Sequence, residues 1–358
     1  MLPLLSTGSK VYQAQEINSD IQEITKAFEP DKIFLLTDEG AYQYCFPLIE
    51  KSLGIHPSKI IIIPQGDVNK HIETAQKVWT ALSNQGADRH SLLINLGGGM
   101  PCDLGGFCAA SFKRGIQFIN IPTTLLAQVD ASIGGKTGIN LGGLKNEIGF
   151  FANPMAVLID ANFLATLDIP NLLSGYAELL KHAFIHDEKT WQQLKAFDIS
   201  HPDLNLLNQL VNDSIRIKDH FVENDPKEQN IRKALNFGHT IGHAIETFAM
   251  QQDQPMLHGY AVAYGMVAEL YLSHKQLQFP MDKLMEITRY IHQLYGHFHI
   301  NKDNFPALIE LMTHDKKNDS NQINFTLLKD IGDIAINQHA NSDEIIEALT
   351  FYTNTKQP

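Results

Sequence analysis

Short runs of consecutive apolar residues punctuate the first half of the chain: KIFLLT (32–37), KIIIIP (59–64), SLLINL (91–96), FINIP (118–122) and MAVLID (155–160). Between them lie longer stretches with apolar positions every third or fourth residue, 69–85 among them. Continuous apolar runs alternating with amphipathic helices predict buried parallel strands in a doubly wound α/β sheet. From about residue 170 the period changes. The segments 171–186, 203–224, 229–250, 258–278 and 281–296 carry apolar residues at helical spacing and predict an all-α domain. A late pair, INFTLL and DIAINQ, joined through Lys329, Asp330, Ile331 and Gly332, predicts a hairpin. The change of character around TLDIP sets the expected boundary, giving domains 1–168 and 169–358.

A length of 358 residues suits two cores better than one. The net charge of −12 argues against nucleic acid as a partner, because a phosphate backbone needs a basic face. Small anions remain compatible, since a local group of Lys and Arg can bind one inside an acidic protein. Cys45, Cys102 and Cys108 form no CxxC pair, which predicts neither a disulfide framework nor a structural zinc site. The opening MLPLLSTGSK lacks the charged and apolar regions of a signal peptide, and no apolar run approaches the roughly 20 residues that span a bilayer. The expectation is a cytoplasmic protein without a membrane partner.

The strand SLLINL runs into Gly97, Gly98 and Gly99, followed by Met100, Pro101, Cys102 and Asp103. Glycines let backbone N–H groups face a pyrophosphate at a helix N-terminus, and Pro101 suits an early helical position. The spacing is not GxGxxG, because Cys102 stands where the third glycine would fall. Downstream, Thr123, Thr124, Asp130, Lys136, Lys145 and Asn146 sit among glycines and small residues, which predicts an anion-binding loop region.

The second half carries titratable residues on otherwise apolar stretches: Glu178 and Lys181 in GYAELLKH, His239 and His243 in GHTIGHAIE, and His258 in LHGYAVAYGM. His239 and His243 are spaced i, i+4 and share a helix face. Three protein ligands with one open position describe a catalytic divalent-metal site, and any three of Glu178, His239, His243 and His258 satisfy that count. Lys181, Lys218, Arg232, Lys316 and Lys317 surround these positions in sequence and suit a substrate with carboxylate and phosphate groups.

The segments GGGMPCDLGGF, KRGIQFINIPTTLLAQVDASIGGKTGIN, LKNEIGFFANP, SGYAELLKHAFI, EQNIRKALNFGHTIGHAIE, LHGYAVAYGM and DKKND follow one another in an order and spacing that resembles the 3-dehydroquinate synthases, over about residues 30–330. The resemblance implies a Rossmann-like NAD-binding α/β domain, an all-α metal- and substrate-binding domain with the metal between them, and a homodimer. It implies conversion of 3-deoxy-D-arabino-heptulosonate 7-phosphate to 3-dehydroquinate and phosphate. The route is transient NAD-dependent oxidation, phosphate elimination, re-reduction and aldol closure. Carried onto this chain, the ligands of a zinc or cobalt ion are Glu178, His239 and His258. Substrate contacts fall to Arg114, Asp130, Lys136, Asn146, Lys181, Lys218, Arg232, Asn236 and Lys316 or Lys317. NAD contacts fall to Asp38, Gly66, Asp67, Lys70, Gly98, Gly99, Asp103, Thr123, Thr124, Lys145 and Thr166. Proton transfer falls to His243 and Glu228, with Lys136 and Asp130 also at the reacting centre. The chain departs from the family pattern at Cys102, at Pro170 and Asn171, and at Tyr260. The nearest other readings are a different sugar phosphate cyclase, such as a 2-deoxy-scyllo-inosose synthase or a 2-epi-5-epi-valiolone synthase, and a metal-dependent polyol dehydrogenase.

Overall fold

The computed structural model describes residues 1–5, 10–142, 144–313 and 323–355. The chain divides into two compact units, residues 1–168 with 203–219, and residues 169–202 with 220–358. Most of the helix Leu204–Asn224 therefore groups with the first unit, a placement that a division into two contiguous blocks does not anticipate.

The first unit contains strands β1 (Leu2–Pro3), β2 (Val11–Gln13), β3 (Ile33–Asp38), β4 (Ile60–Ile63), β5 (Leu92–Gly97), β6 (Gln117–Pro122), β7 (Lys136–Leu141), β8 (Leu144–Phe151) and β9 (Ala156–Ile159). Seven of them form one sheet in the order β1-β2-β9-β6-β5-β3-β4. Every neighbouring pair in it is parallel except β1 with β2. The five apolar runs of the sequence are β3, β4, β5, β6 and β9. β3, β5, β6 and β9 lack polar alternation because both faces are covered, while β4, at the edge, leaves Ile62 exposed. Phe34, Leu36 and Leu93 pack with Val78, Leu104 and Phe107 on one face. Ile33, Leu35 and Ile94 pack with Ile21, Phe46 and Ile49 on the other. The period of two sends successive side chains into different cores. Each such buried side chain contributes about 1.5–3 kcal/mol.

The region after β6 is not the loop that its glycines suggested. It forms a π-helical turn, Ala127–Ala131, and then the antiparallel hairpin β7–β8. Gly138 and Gly149 lie opposite each other in that ladder, so these two glycines mark a close strand pair instead of turns.

The second unit holds the helices Ile169–Phe184, Glu188–Lys195, His239–Gln251, His258–Leu277, Met281–Tyr295, Phe305–Thr313 and Ser342–Asn354. An antiparallel hairpin, β10 (Asn324–Asp330) with β11 (Asp333–His339), completes it where the sequence predicted one. The predicted helix 229–250 is shorter than expected. The Asp225 carboxylate accepts hydrogen bonds from the backbone N–H groups of Gln229, Asn230 and Arg232, which holds this stretch in a loop. A 3-10 turn spans Ile231–Asn236, and the α-helix begins only at His239, after Gly238 at φ 79°.

His258–Leu277 is the central helix. It packs against His239–Gln251, Ile169–Phe184, Met281–Tyr295, Ser342–Asn354 and β10, which explains why it is apolar on all sides. No helix among the described residues is long and apolar enough to cross a membrane. The crossing with His239–Gln251 is close enough to need glycine. A Cβ at Gly265 would lie 2.0 Å from the Gly238 carbonyl oxygen and 2.6 Å from the Gly242 nitrogen, both backbone atoms that cannot swing aside. Gly265→Ala is expected to destabilise the protein by about 1–3 kcal/mol or more. Urea unfolding measures it, and an unchanged midpoint would show that the helices tolerate greater separation.

Candidate functional site

Within the second unit, five titratable side chains converge. Glu178 and Lys181 lie one turn apart on Ile169–Phe184, with side chains 0% and 1% exposed, and the ammonium group sits against Glu178 Oε2. His239 Nε2 lies 3.5 Å from Glu178 Oε1, and His258 Nε2 lies 3.7 Å from the same oxygen. His243 completes the group, with ring centroids 5.2 Å from His239 and 5.7 Å from His258. The sequence reading left open which three of the four act together. The structure brings Glu178, His239, His243 and His258 together, and one nitrogen from each of the three histidines falls within a 4.8 Å span.

Local structure aims the rings. His239 and His258 are each the first residue of their helix. Glu269, fully buried, accepts hydrogen bonds from Gly238 N at 2.6 Å and Ile241 N at 3.0 Å. It thereby fills the N-cap role that no local side chain supplies for His239–Gln251. Ser174, one turn before Glu178, accepts a hydrogen bond from Gly259 N at 3.1 Å and ties the start of the His258 helix to the helix carrying Glu178. His239 Nδ1 faces the Phe237 carbonyl at 3.1 Å, and His258 Nδ1 faces Glu246 Oε2 at 3.2 Å. An acceptor at each Nδ1 places the ring proton there and leaves Nε2 as the lone-pair nitrogen. Both Nε2 atoms then point toward Glu178.

Glu178 Oε2 is met by the Lys181 ammonium, while Oε1 has no hydrogen-bond partner among the described residues. Burial alone would neutralise this carboxyl. The charges of Lys181, His239 and His258 outweigh burial and hold it well below its ordinary range. A buried carboxylate with one oxygen lacking a hydrogen bond and faced by two imidazole nitrogens fits a divalent cation. Glu246, Glu269 and Ser174 were not singled out in the sequence. The signal for the two acids was present, a single carboxylate inside each of the apolar helical stretches HAIETF and VAELYL.

Beside this centre in the chain, Arg232 is buried and donates to the Pro226 carbonyl at 2.9 Å, while Asn236 donates to Glu228 Oε1 at 3.0 Å. Glu228 adopts a left-handed backbone, φ 57°. The loop pinned by Asp225 therefore gathers Glu228, Arg232 and Asn236. Of the departures, Pro170 falls at the second residue of its helix and Asn171 at the third, and Tyr260 packs edge-on against Tyr295 at 5.2 Å.

In the first unit, the predicted nucleotide-side residues form two groups. Asp38, Gly97, Gly98, Thr123 and Thr124 meet at the carboxyl ends of β3, β5 and β6, the position where parallel α/β sheets bind ligands. Asp38 accepts from Ala41 N at 2.8 Å, and burial raises its carboxyl pKa. Thr123 N donates to the Gly97 carbonyl at 2.9 Å. Gly98 leads into the helix Gly99–Ser111, and a Cβ on it would lie 3.1 Å from Thr124 Cγ2. A second group is a charge network. Lys70 contacts Asp103 at 3.0 Å and Asn146 at 2.5 Å, and Lys145 contacts Asp67 at 3.2 Å. Gly66 opens the turn that carries Asp67 and Lys70. On the π-helical turn, Asp130 Oδ1 meets Lys218 Nζ at 2.6 Å. Lys136 is exposed at the start of β7. Arg114 is exposed, with φ 68° beside Lys113 at 52°. Thr166 stands apart, exposed at the end of the 3-10 helix Ala161–Thr166. Lys316 and Lys317 lie outside the described residues.

Comparison with known proteins agrees with these motifs. The family described as 3-dehydroquinate synthase N-terminal matches residues 60–174, and 3-dehydroquinate synthase C-terminal matches residues 175–318. A 3-dehydroquinate synthase of Parabacteroides distasonis is 50% identical over 343 residues, 96% of this chain and 97% of that one. One of Clostridium tetani is 37% identical over 351 residues, 93% of this chain and 90% of that one. Among solved structures, a 2-epi-5-epi-valiolone synthase of Streptomyces hygroscopicus with NAD+ and Zn2+ bound superposes with a TM-score of 0.85, at 23% identity over 99% of both chains. A 2-deoxy-scyllo-inosose synthase complexed with carbaglucose-6-phosphate, NAD+ and Co2+ gives 0.83, at 22% identity over 95% of both. These two likenesses show the fold.

The convergence of charge has a measurable consequence. In protein stripped of metal by a chelator, burial disfavours the His258 imidazolium, but Glu246 and Glu178 outweigh it and carry the pKa from 6.5 up to about 9. The folded value lies above the unfolded one, so this interaction stabilises the stripped protein fully below about pH 6.5 and is lost as pH rises through about 9. An NMR titration is expected to place the His258 midpoint near 9. A midpoint at or below the ordinary histidine value would contradict the pairing.

Proposed function

The chain belongs to the 3-dehydroquinate synthase family, and we propose that it converts 3-deoxy-D-arabino-heptulosonate 7-phosphate to 3-dehydroquinate and phosphate, a carbon–oxygen lyase reaction of the shikimate pathway. The observation that carries the reading is the buried Glu178 carboxylate, with two imidazole nitrogens turned toward its Oε1 and no hydrogen bond on that oxygen. Glu178, His239 and His258 would hold one divalent ion, zinc or cobalt. The turn at Gly98 and Gly99, with Asp38, Thr123 and Thr124 at the strand ends, would hold NAD. Gly66, Asp67, Lys70, Asp103, Lys145 and Thr166 are assigned to the same cofactor. When bound, NAD takes up and returns a hydride, and the metal acts as a Lewis acid toward substrate hydroxyls. The relatives' names support the reading, as do the structural neighbours solved with NAD+ and with Co2+ or Zn2+.

The chain's own residues then bind, orient and move protons. Lys181 sets a cation one turn from the metal-facing carboxylate, suited to an anionic substrate in a dry site. Arg232 offers the planar fork that matches a carboxylate, with Asn236 as a neighbouring hydrogen-bonding amide. The carboxylate is the group that favours this substrate over those of the other sugar phosphate cyclases. Arg114, Lys136, Asn146, Lys218, Asp130 and Lys316 are assigned to the rest of the substrate. His243 sits within reach of the other two imidazoles without an assigned metal bond, and an imidazole there can take and return a proton near neutral pH, with Glu228 as a second carrier. We read the protein as a cytoplasmic homodimer. The dimer is what the family resemblance implies, and the three buried free cysteines support the compartment.

Purified protein given the heptulosonate phosphate, NAD and zinc or cobalt is expected to release phosphate with no net NADH. Stoichiometric NADH would identify a polyol dehydrogenase, and phosphate release only from other sugar phosphates would identify a different cyclase. His258→Ala is expected to lower phosphate release by more than about 100-fold and to weaken metal binding.

A further inference from the structure

His239 and His258 obtain their orientation by different means. The acceptor at His239 Nδ1 is a backbone carbonyl two residues away, fixed by the same turn that starts its helix. The acceptor at His258 Nδ1 is a side chain from a different helix, Glu246, at 3.2 Å. Glu246 is 3% exposed and lies on His239–Gln251, seven residues after His239 and three after His243. At 3.6 residues per turn these three share one face. That face therefore presents two imidazoles and a carboxylate that grips a third imidazole on the neighbouring helix.

We propose that Glu246 is a positioning residue of the metal centre: its carboxylate holds the His258 ring proton on Nδ1 and fixes the ring plane, so that Nε2 is presented as a ligand beside Glu178. Without an acceptor there, the proton can shift to Nε2 and the lone pair that binds metal is lost. The carboxylate also makes Nε2 a stronger donor, because negative charge behind an imidazole raises its basicity. A buried carboxylate in an apolar helix is costly unless hydrogen-bonded, and the Nδ1–H of His258 supplies a hydrogen bond. The assignment rests on His258 being a metal ligand, as proposed above.

The test is metal binding by the full chain, independent of turnover. Protein stripped by a chelator is titrated with Zn2+ and with Co2+ against a chromophoric competitor at fixed pH. The visible absorption of the Co2+ form and the thermal midpoint of the stripped form are recorded. Glu246→Gln keeps an acceptor oxygen without the charge, and Glu246→Leu keeps bulk without an acceptor. Expected losses in affinity are about 10-fold for the first and about 100-fold for the second, with an altered cobalt spectrum in both. Affinities and spectra within about twofold of the parent in both variants would overturn the proposal. Should Glu246→Leu fail to fold, the near-isosteric Glu246→Gln carries the test alone. His258→Ala in the same titration separates the two levels of the argument. Parent-like binding by His258→Ala removes the ligand assignment itself. Loss of binding there, with parent-like Glu246 variants, removes only the positioning role.

Discussion

The second unit is organised around an ionised carboxylate that has no exposed surface. Moving a carboxylate from water into a protein interior carries a penalty of several kcal/mol even after relaxation. The offset comes from Lys181, one turn along its own helix and in contact with Oε2, and from imidazoles of two other helices that face Oε1. That requirement fixes more than the site. It demands that the helices His239–Gln251 and His258–Leu277 both begin where Glu178 points, and that the helix crossing be close enough to bring them there. The glycine contact between Gly265, Gly238 and Gly242 is the packing expression of that demand.

The same logic explains the buried acids around it. Glu269 receives the first backbone N–H groups of the His239 helix, and Glu246 receives the His258 ring. Each carboxylate is satisfied by the element it holds in place, so neither is an unpaired charge. Removing one partner of such a buried pair leaves the other uncompensated, which makes the set interdependent. The chain carries net charge −12, yet Lys181, Lys218 and Arg232 are all buried. Acidic composition in bulk and individual buried cations are compatible because electrostatic recognition is set at distances of a few ångströms.

Much of this was legible in the residues. The strands β3, β5 and β6 are continuous apolar runs because both faces of a parallel sheet are covered, and the central helix is apolar because neighbours surround it. Glu178, His239, His243 and His258 stood out because titratable groups in apolar helical stretches need a reason. Other features resisted. The loop from 229 to 238 has helical spacing of apolar residues, but the Asp225 carboxylate competes for its backbone N–H groups and wins locally. The hairpin β7–β8 hid behind glycines, which signal turns on average and here form a cross-strand pair. Glu246 and Glu269 were passed over because a single Glu in a helix usually faces water. Only the packing shows that these two face inward.

The departures from the family pattern fall where physical chemistry tolerates them. A proline at the second residue of a helix removes an N–H that has no intrahelical acceptor, and its fixed φ already suits the helix, so Pro170 begins Ile169–Phe184 without disturbing the turn that carries Glu178. Tyr260 lies two residues past His258 and points its ring edge at Tyr295, whose hydroxyl donates to the Leu173 carbonyl. That contact adds aromatic packing next to a helix already anchored by Ser174 at Gly259. Cys102, completely buried in the first turns of Gly99–Ser111, carries a thiol that burial keeps protonated, so it adds no negative charge at the turn where a phosphate would approach. All three positions carry uncharged side chains, and Pro170 and Tyr260 lie in the first turns of their helices. That is the condition under which a buried carboxylate and two imidazoles can keep facing one another.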